Sequence, residues 1–100
     1  MSRAPGRTRV ERVQTGIRME KGILKVLKAV AELHDMTLGD LLEGIVLHVF
    51  EGKTPFGPES LRTIAELKRI YRLDLTSSSS HRLVEGRGPR RKPTPRREKR

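Results

Sequence analysis

Apolar positions along the chain fall into one stretch of strict alternation followed by three stretches of helical spacing. In Arg12-Val13-Gln14-Thr15-Gly16-Ile17-Arg18-Met19, the residues Val13, Ile17 and Met19 share one side with Thr15. Arg12, Gln14, Gly16 and Arg18 share the other. Side chains alternate between faces along a strand, so this pattern predicts a short β-strand with one apolar and one polar face. A lone strand leaves its backbone donors and acceptors without partners. No second strand pattern occurs in the chain, and the expected partner is the same strand of a second copy.

Helical spacing begins at about Glu20. Ile23, Leu24, Leu27, Val30 and Ala31 recur at intervals of three and four, while Lys21, Lys25, Lys28 and Glu32 fall outside that stripe. A second helix opens at Thr37, whose hydroxyl can accept from the amide of Asp40 in a capping-box-like start. Its apolar set is Leu38, Leu41, Leu42, Ile45, Val46, Val49 and Phe50, a stripe wide enough to face more than one neighbour. Gly52 is the natural stop. His34-Asp35-Met36 forms the turn between the helices, with Asp35 tolerant of the left-handed conformation. Thr54-Pro55-Phe56-Gly57-Pro58 interrupts helix continuation. A third helix is predicted over 59–73, with Leu61, Ile64, Ala65, Leu67 and Tyr71 on one arc. That arc either packs on the core or offers a groove-binding face to another protein.

Charge then changes the picture. The net charge of +10 is carried entirely by the two ends. Residues 1–9 hold three Arg and no acid, residues 87–100 hold eight Lys or Arg and one Glu, and residues 10–86 sum to zero. Basic arms supply sequence-independent attraction to phosphate; the plainer reading is a solubilising tail. The expected organisation is therefore a basic arm over 1–11, a strand-and-helices domain over 12–53 and a linker over 54–58. An accessory helix over 59–76 follows, and then a disordered basic tail over 77–100, which lacks apolar content to fold around. The candidate phosphate contacts in that tail are Arg87, Arg90, Arg91, Lys92, Arg96 and Arg97.

Composition excludes more than it selects. The chain has no cysteine, so neither disulfides nor thiolate chemistry is available, and a cytoplasmic, nucleoid-associated protein is expected. Apolar runs are broken before membrane-spanning length, and no membrane partner is expected. One Tyr, two Phe and no Trp leave few platforms for stacking single-stranded bases. His34, His48 and His81 are widely spaced without cysteine, so neither a metal nor a cofactor is expected. No nucleophile–base pair or phosphate loop stands out, and Asp40 with Glu43 resembles a solvated helix face. No catalytic residue is assigned, and the chain is not expected to be an enzyme.

Strand, helix, tight turn and helix in this order resemble the ribbon-helix-helix family of DNA-binding proteins, of the Arc and methionine-repressor kind, over Arg12 to about Gly52. Gln14-Thr15-Gly16-Ile17-Arg18-Met19 falls on the alternation of that family's ribbon, Val30-Ala31-Glu32 on a first-helix Val-Ala-Glu stretch, and Thr37 on the residue opening the second helix. The resemblance implies a mostly α fold with one short strand per chain, paired in an intertwined homodimer. It implies that Gln14, Gly16 and Arg18 face bases in the major groove, where Arg and Gln pair bidentately with guanine and adenine. Gly16 departs from the family, which usually places a polar side chain there. Arg12, Thr37, Leu38 and Gly39 are the expected phosphate contacts, the last three through unpaired amides at a helix N-terminus. The dimer core is expected to hold Val13, Ile17, Met19, Leu27, Leu42, Gly44, Ile45 and Val46, with Gly44 allowing a close helix crossing.

Two function classes follow. One is a homodimeric, sequence-specific double-stranded DNA-binding protein, a transcriptional repressor or a plasmid-maintenance or antitoxin-type regulator. The other is a protein-interaction adaptor whose basic arms bind nucleic acid only non-specifically.

Overall fold

Caps and periodicity place three helices close to their expected bounds in a computed structural model that describes residues 7–86. Helix α1 spans Lys21–Leu33, α2 spans Leu38–Phe50, α3 spans Pro58–Ile70, and a short 3-10 turn follows at Ser77–Ser79. The Glu20 carboxylate accepts from the Ile23 amide at 2.7 Å, and the Thr37 hydroxyl accepts from the Asp40 amide at 3.1 Å. Each satisfies one of the donors that a helix start leaves open. Pro58 occupies the first turn of α3, where its missing N–H costs nothing.

All three helices end in the same way. Beyond each C-terminus one residue takes positive φ: Asp35 at 55°, Gly52 at 74° and Arg72 at 57°. The next amide then reaches back to the last turn, Met36 to Ala31, Lys53 to His48 and Leu73 to Lys68, at 2.8–3.0 Å. This is the Schellman arrangement, which satisfies carbonyls that would otherwise lack donors. Only α2 uses glycine for it. Asp35 and Arg72 adopt a conformation that crowds a Cβ against the backbone.

Helix α1 is the central element and packs against both α2 and α3. Val26, Val30, Ala31 and Leu41 are buried, with Leu27, Ile45, Phe56, Ile64, Leu67 and Leu73 packed around them. Val26 lies outside the stripe read from periodicity, because α1 buries two sides and not one. Of the two roles open to the third helix, the structure shows packing: Ile64 and Leu67 lie against the core, while Leu61 and Ala65 remain exposed. Phe56 ties the Pro/Gly linker down. Thr76 caps the turn at Ser77–Ser79, so structure extends into the serine run where a tail was expected. The remaining expected tail, 87–100, and residues 1–6 lie outside the described residues.

The ribbon-helix-helix class is corrected here. Among the described residues there is no strand and no sheet; the mostly helical part of the expectation stands. Residues 7–19 form an irregular arm that takes part in no backbone hydrogen bond within the described chain. Alternation specifies a face but supplies no partner edge, and a strand exists only when a second backbone accepts and donates. No such edge is present, so the arm's polar groups turn to water. Val13 and Ile17, expected in a core, are 79% and 67% exposed.

Candidate nucleic-acid interface

The arm is anchored to the helices through a guanidinium. Arg12 donates from Nε to Glu43 Oε2 at 2.9 Å and from Nη2 to Glu43 Oε1 at 2.7 Å, a two-pronged pairing. The same Nη2 reaches Asp40 Oδ1 at 3.2 Å. Asp40 and Glu43 are three apart on α2, which puts both carboxylates on one side of the helix. The hydrogen bond to Glu43 raises the Arg12 pKa above its ordinary value. The reciprocal bond holds the Glu43 carboxyl below the usual range, against a smaller opposing effect of desolvation. Further along the arm, Arg18 pairs with Glu85, beyond the 3-10 turn.

These contacts redistribute the residues expected to meet DNA. Arg12 and Arg18 are held by carboxylates of the body, while Gln14 and Gly16 are exposed between them. At the start of α2 the Thr37 side chain takes the Asp40 amide, leaving the Leu38 and Gly39 amides toward solvent or a ligand. Asp40 already places an anion in that first turn, where the helix dipole favours negative charge. Asp40, Glu43 and Glu85 were not legible as partners of the arm. Two acids at helical spacing carry no sign of which distant arginine will reach them.

The expected dimer core splits into two groups. Leu27 and Ile45 pack inside the chain, and Met19 and Leu42 are half-buried. Val46 is exposed with Val13 and Ile17. Val46, Leu47, Val49 and Phe50 form an exposed apolar end of α2, and Phe50 is 78% exposed. Gly44 is half-buried, yet a Cβ built there meets nothing within 4 Å. It borders an open cleft of about 230 Å³ with His34, Met36, Ile45, His48 and Phe56. His48 Nδ1 lies 2.7 Å from the Gly44 carbonyl, to which the ring donates. Among the described residues no group of three His, Cys, Asp or Glu side chains could hold a metal ion. No described helix is long and apolar enough to cross a membrane. The tail cations Arg87, Arg90, Arg91, Lys92, Arg96 and Arg97 lie outside the described residues.

No protein-family model, no curated protein and no solved structure matches this chain.

Proposed function

We propose that the chain is a homodimeric double-stranded DNA-binding protein whose basic ends engage phosphate and whose arm adds sequence preference through Gln14 and Arg18. The observation that carries this reading is the partition of charge. A neutral central region of residues 10–86 is flanked by +3 and +7 ends, the pattern expected where attraction to a polyanion is added to a folded body. The arm that continues from the N-terminal end carries Arg7, Arg9, Arg12 and Arg18 and is exposed over 7–18.

Dimerisation is supported by α2. Its inner stripe, Leu41 and Ile45, packs in the core with α1, whereas Leu42, Val46, Val49 and Phe50 recur at i, i+4, i+7 and i+8 as an outer stripe. A four-residue core is small for a domain this size, and burying an exposed Val, Leu or Phe side chain contributes about 1.5–3 kcal/mol. The same stripe of a second copy is a chemically matched cover, available wherever the chain is made.

The test is a gel-shift titration at several salt concentrations, using fragments selected from genomic DNA and their scrambled counterparts. A specific component that survives salt better than the background is expected. Removing residues 87–100 should weaken both kinds of duplex alike and flatten the salt dependence, because fewer counterions are released. Equal, salt-labile binding to every duplex would instead favour the adaptor reading.

A further inference from the structure

Two of the arm's arginines are already occupied among the described residues. Arg12 meets two carboxylates of α2, and Arg18 meets Glu85. A carboxylate and a phosphate present similar oxygen pairs to a guanidinium, and both are bound by the same two-pronged geometry. We infer that Asp40 and Glu43 are internal stand-ins for phosphate that clasp Arg12 in the free protein, so that Arg12 and the arm segment it holds engage DNA by exchanging these carboxylates for the backbone.

The inference rests on the proposed DNA binding and adds regulation to it. Three observations support it. Among the described residues Arg12 is the one arm residue with hydrogen bonds to α2, so the hold on α2 is a single releasable point, separate from the Arg18–Glu85 pair. Val10, Val13 and Ile17 on either side of it are exposed, and apolar burial in the arm is confined to Met19 where it joins α1, so no apolar packing holds the segment around Arg12. Arg12 with Asp40 and Glu43 sums to one negative charge, and withdrawing Arg12 leaves two bare carboxylates beside the α2 N-terminus, where they repel an approaching duplex. Exposed ion pairs are individually weak and screened by salt, which suits a contact made to be exchanged.

The experiment compares the full chain with the near-isosteric double variant Asp40→Asn/Glu43→Gln. A control, Glu32→Gln/Glu59→Gln, removes two acids elsewhere on the surface. Backbone amide relaxation at Gln14 and Gly16 reports arm mobility without DNA, and fluorescence anisotropy reports affinity for a duplex of about 20 base pairs at moderate salt. The clasp variant should gain arm mobility and bind about threefold or more tighter, while the control should do neither to the same degree. Unchanged mobility would overturn the clasp. Increased mobility with weaker binding would mean that the acids position the arm for DNA, which overturns the inhibitory role. An equal gain in the control would reduce the effect to bulk charge and overturn it as well. If no chain binds DNA, the proposed function fails with the inhibition built on it, while the mobility measurement separately reports whether the contact exists.

Discussion

The two apolar stripes of α2 have nearly the same chemistry and opposite fates. Leu41 is 6% exposed beneath α1, while Phe50, little more than two turns on, is 78% exposed. The inner stripe has a partner because the Schellman turn at His34-Asp35-Met36 folds α2 back onto α1 after only a few residues. Among the described residues the outer stripe has no such neighbour, since α3 packs on α1 and not on α2. What separates them is connectivity, not hydrophobicity. A helix can be more apolar than the elements folded beside it cover.

Truncation of the inner stripe is the severest way to test this contrast. Leu41→Ala should cost about 2–5 kcal/mol by removing buried methyls and leaving a cavity. Denaturant unfolding followed by circular dichroism measures it, and a cost well under 1 kcal/mol would mean that α2 is not seated on α1. The outer stripe should answer differently. Val46→Asp/Phe50→Asp should leave helical content intact while abolishing dimer formation, so that a thermal midpoint rising with protein concentration becomes independent of it. Light scattering on the same samples gives the mass. A wild-type midpoint already constant over a hundredfold dilution would remove the second copy from the argument.

Gly44 sharpens the comparison because the sign of its effect carries the information. Inside one chain an added Cβ meets nothing, so Gly44→Ala should stabilise α2 by about 1 kcal/mol through helix propensity alone. If a second copy crosses α2 at that point, the same substitution should weaken the dimer instead. A smaller change marks the side of the core remote from both stripes. Arg72→Gly relieves a positive φ at the end of α3 and should add about 0.5–1 kcal/mol. Because Arg72 lies outside α2 and its proposed pairing stripe, the gain in thermal midpoint should be the same at every protein concentration.

The smallest effect concerns pH. The Glu43 carboxyl is held low by Arg12, so its contribution is present above the ordinary carboxylate range and disappears as pH falls through the folded value. Arm mobility at Gln14 should therefore rise on acidification below that range, and Asp40→Asn/Glu43→Gln, which removes both carboxylates that Arg12 meets, should remove this dependence.

Helices were legible from sequence because their signals are local. Thr37 and Gly52 announce their roles within a turn of where they act, and Asp35 takes the left-handed turn its side chain tolerates, whereas Pro58, read as the end of the linker, opens α3 instead. Val26 was missed because a single-stripe reading cannot represent a helix covered on two sides. The strand failed for a different reason. Alternation in Val13-Gln14-Thr15-Gly16-Ile17 is a property of side chains, whereas a strand is a property of two backbones. The Arg12 clasp was illegible in the same sense: the acids lie 28 and 31 residues away, and their meeting depends on how the arm crosses α2.

The uncovered stripe also bears on how much of the protein a cell keeps. With a second copy as its cover, the chain is protected in proportion to its own abundance. Under the proposed pairing, scarce chains would spend their time as monomers, with Val46, Val49 and Phe50 open to quality-control proteases and chaperones, and would be cleared quickly. Abundant chains would pair and persist. Steady-state level would then rise faster than synthesis rate, and a modest change in expression would become a sharp change in the amount of assembled protein.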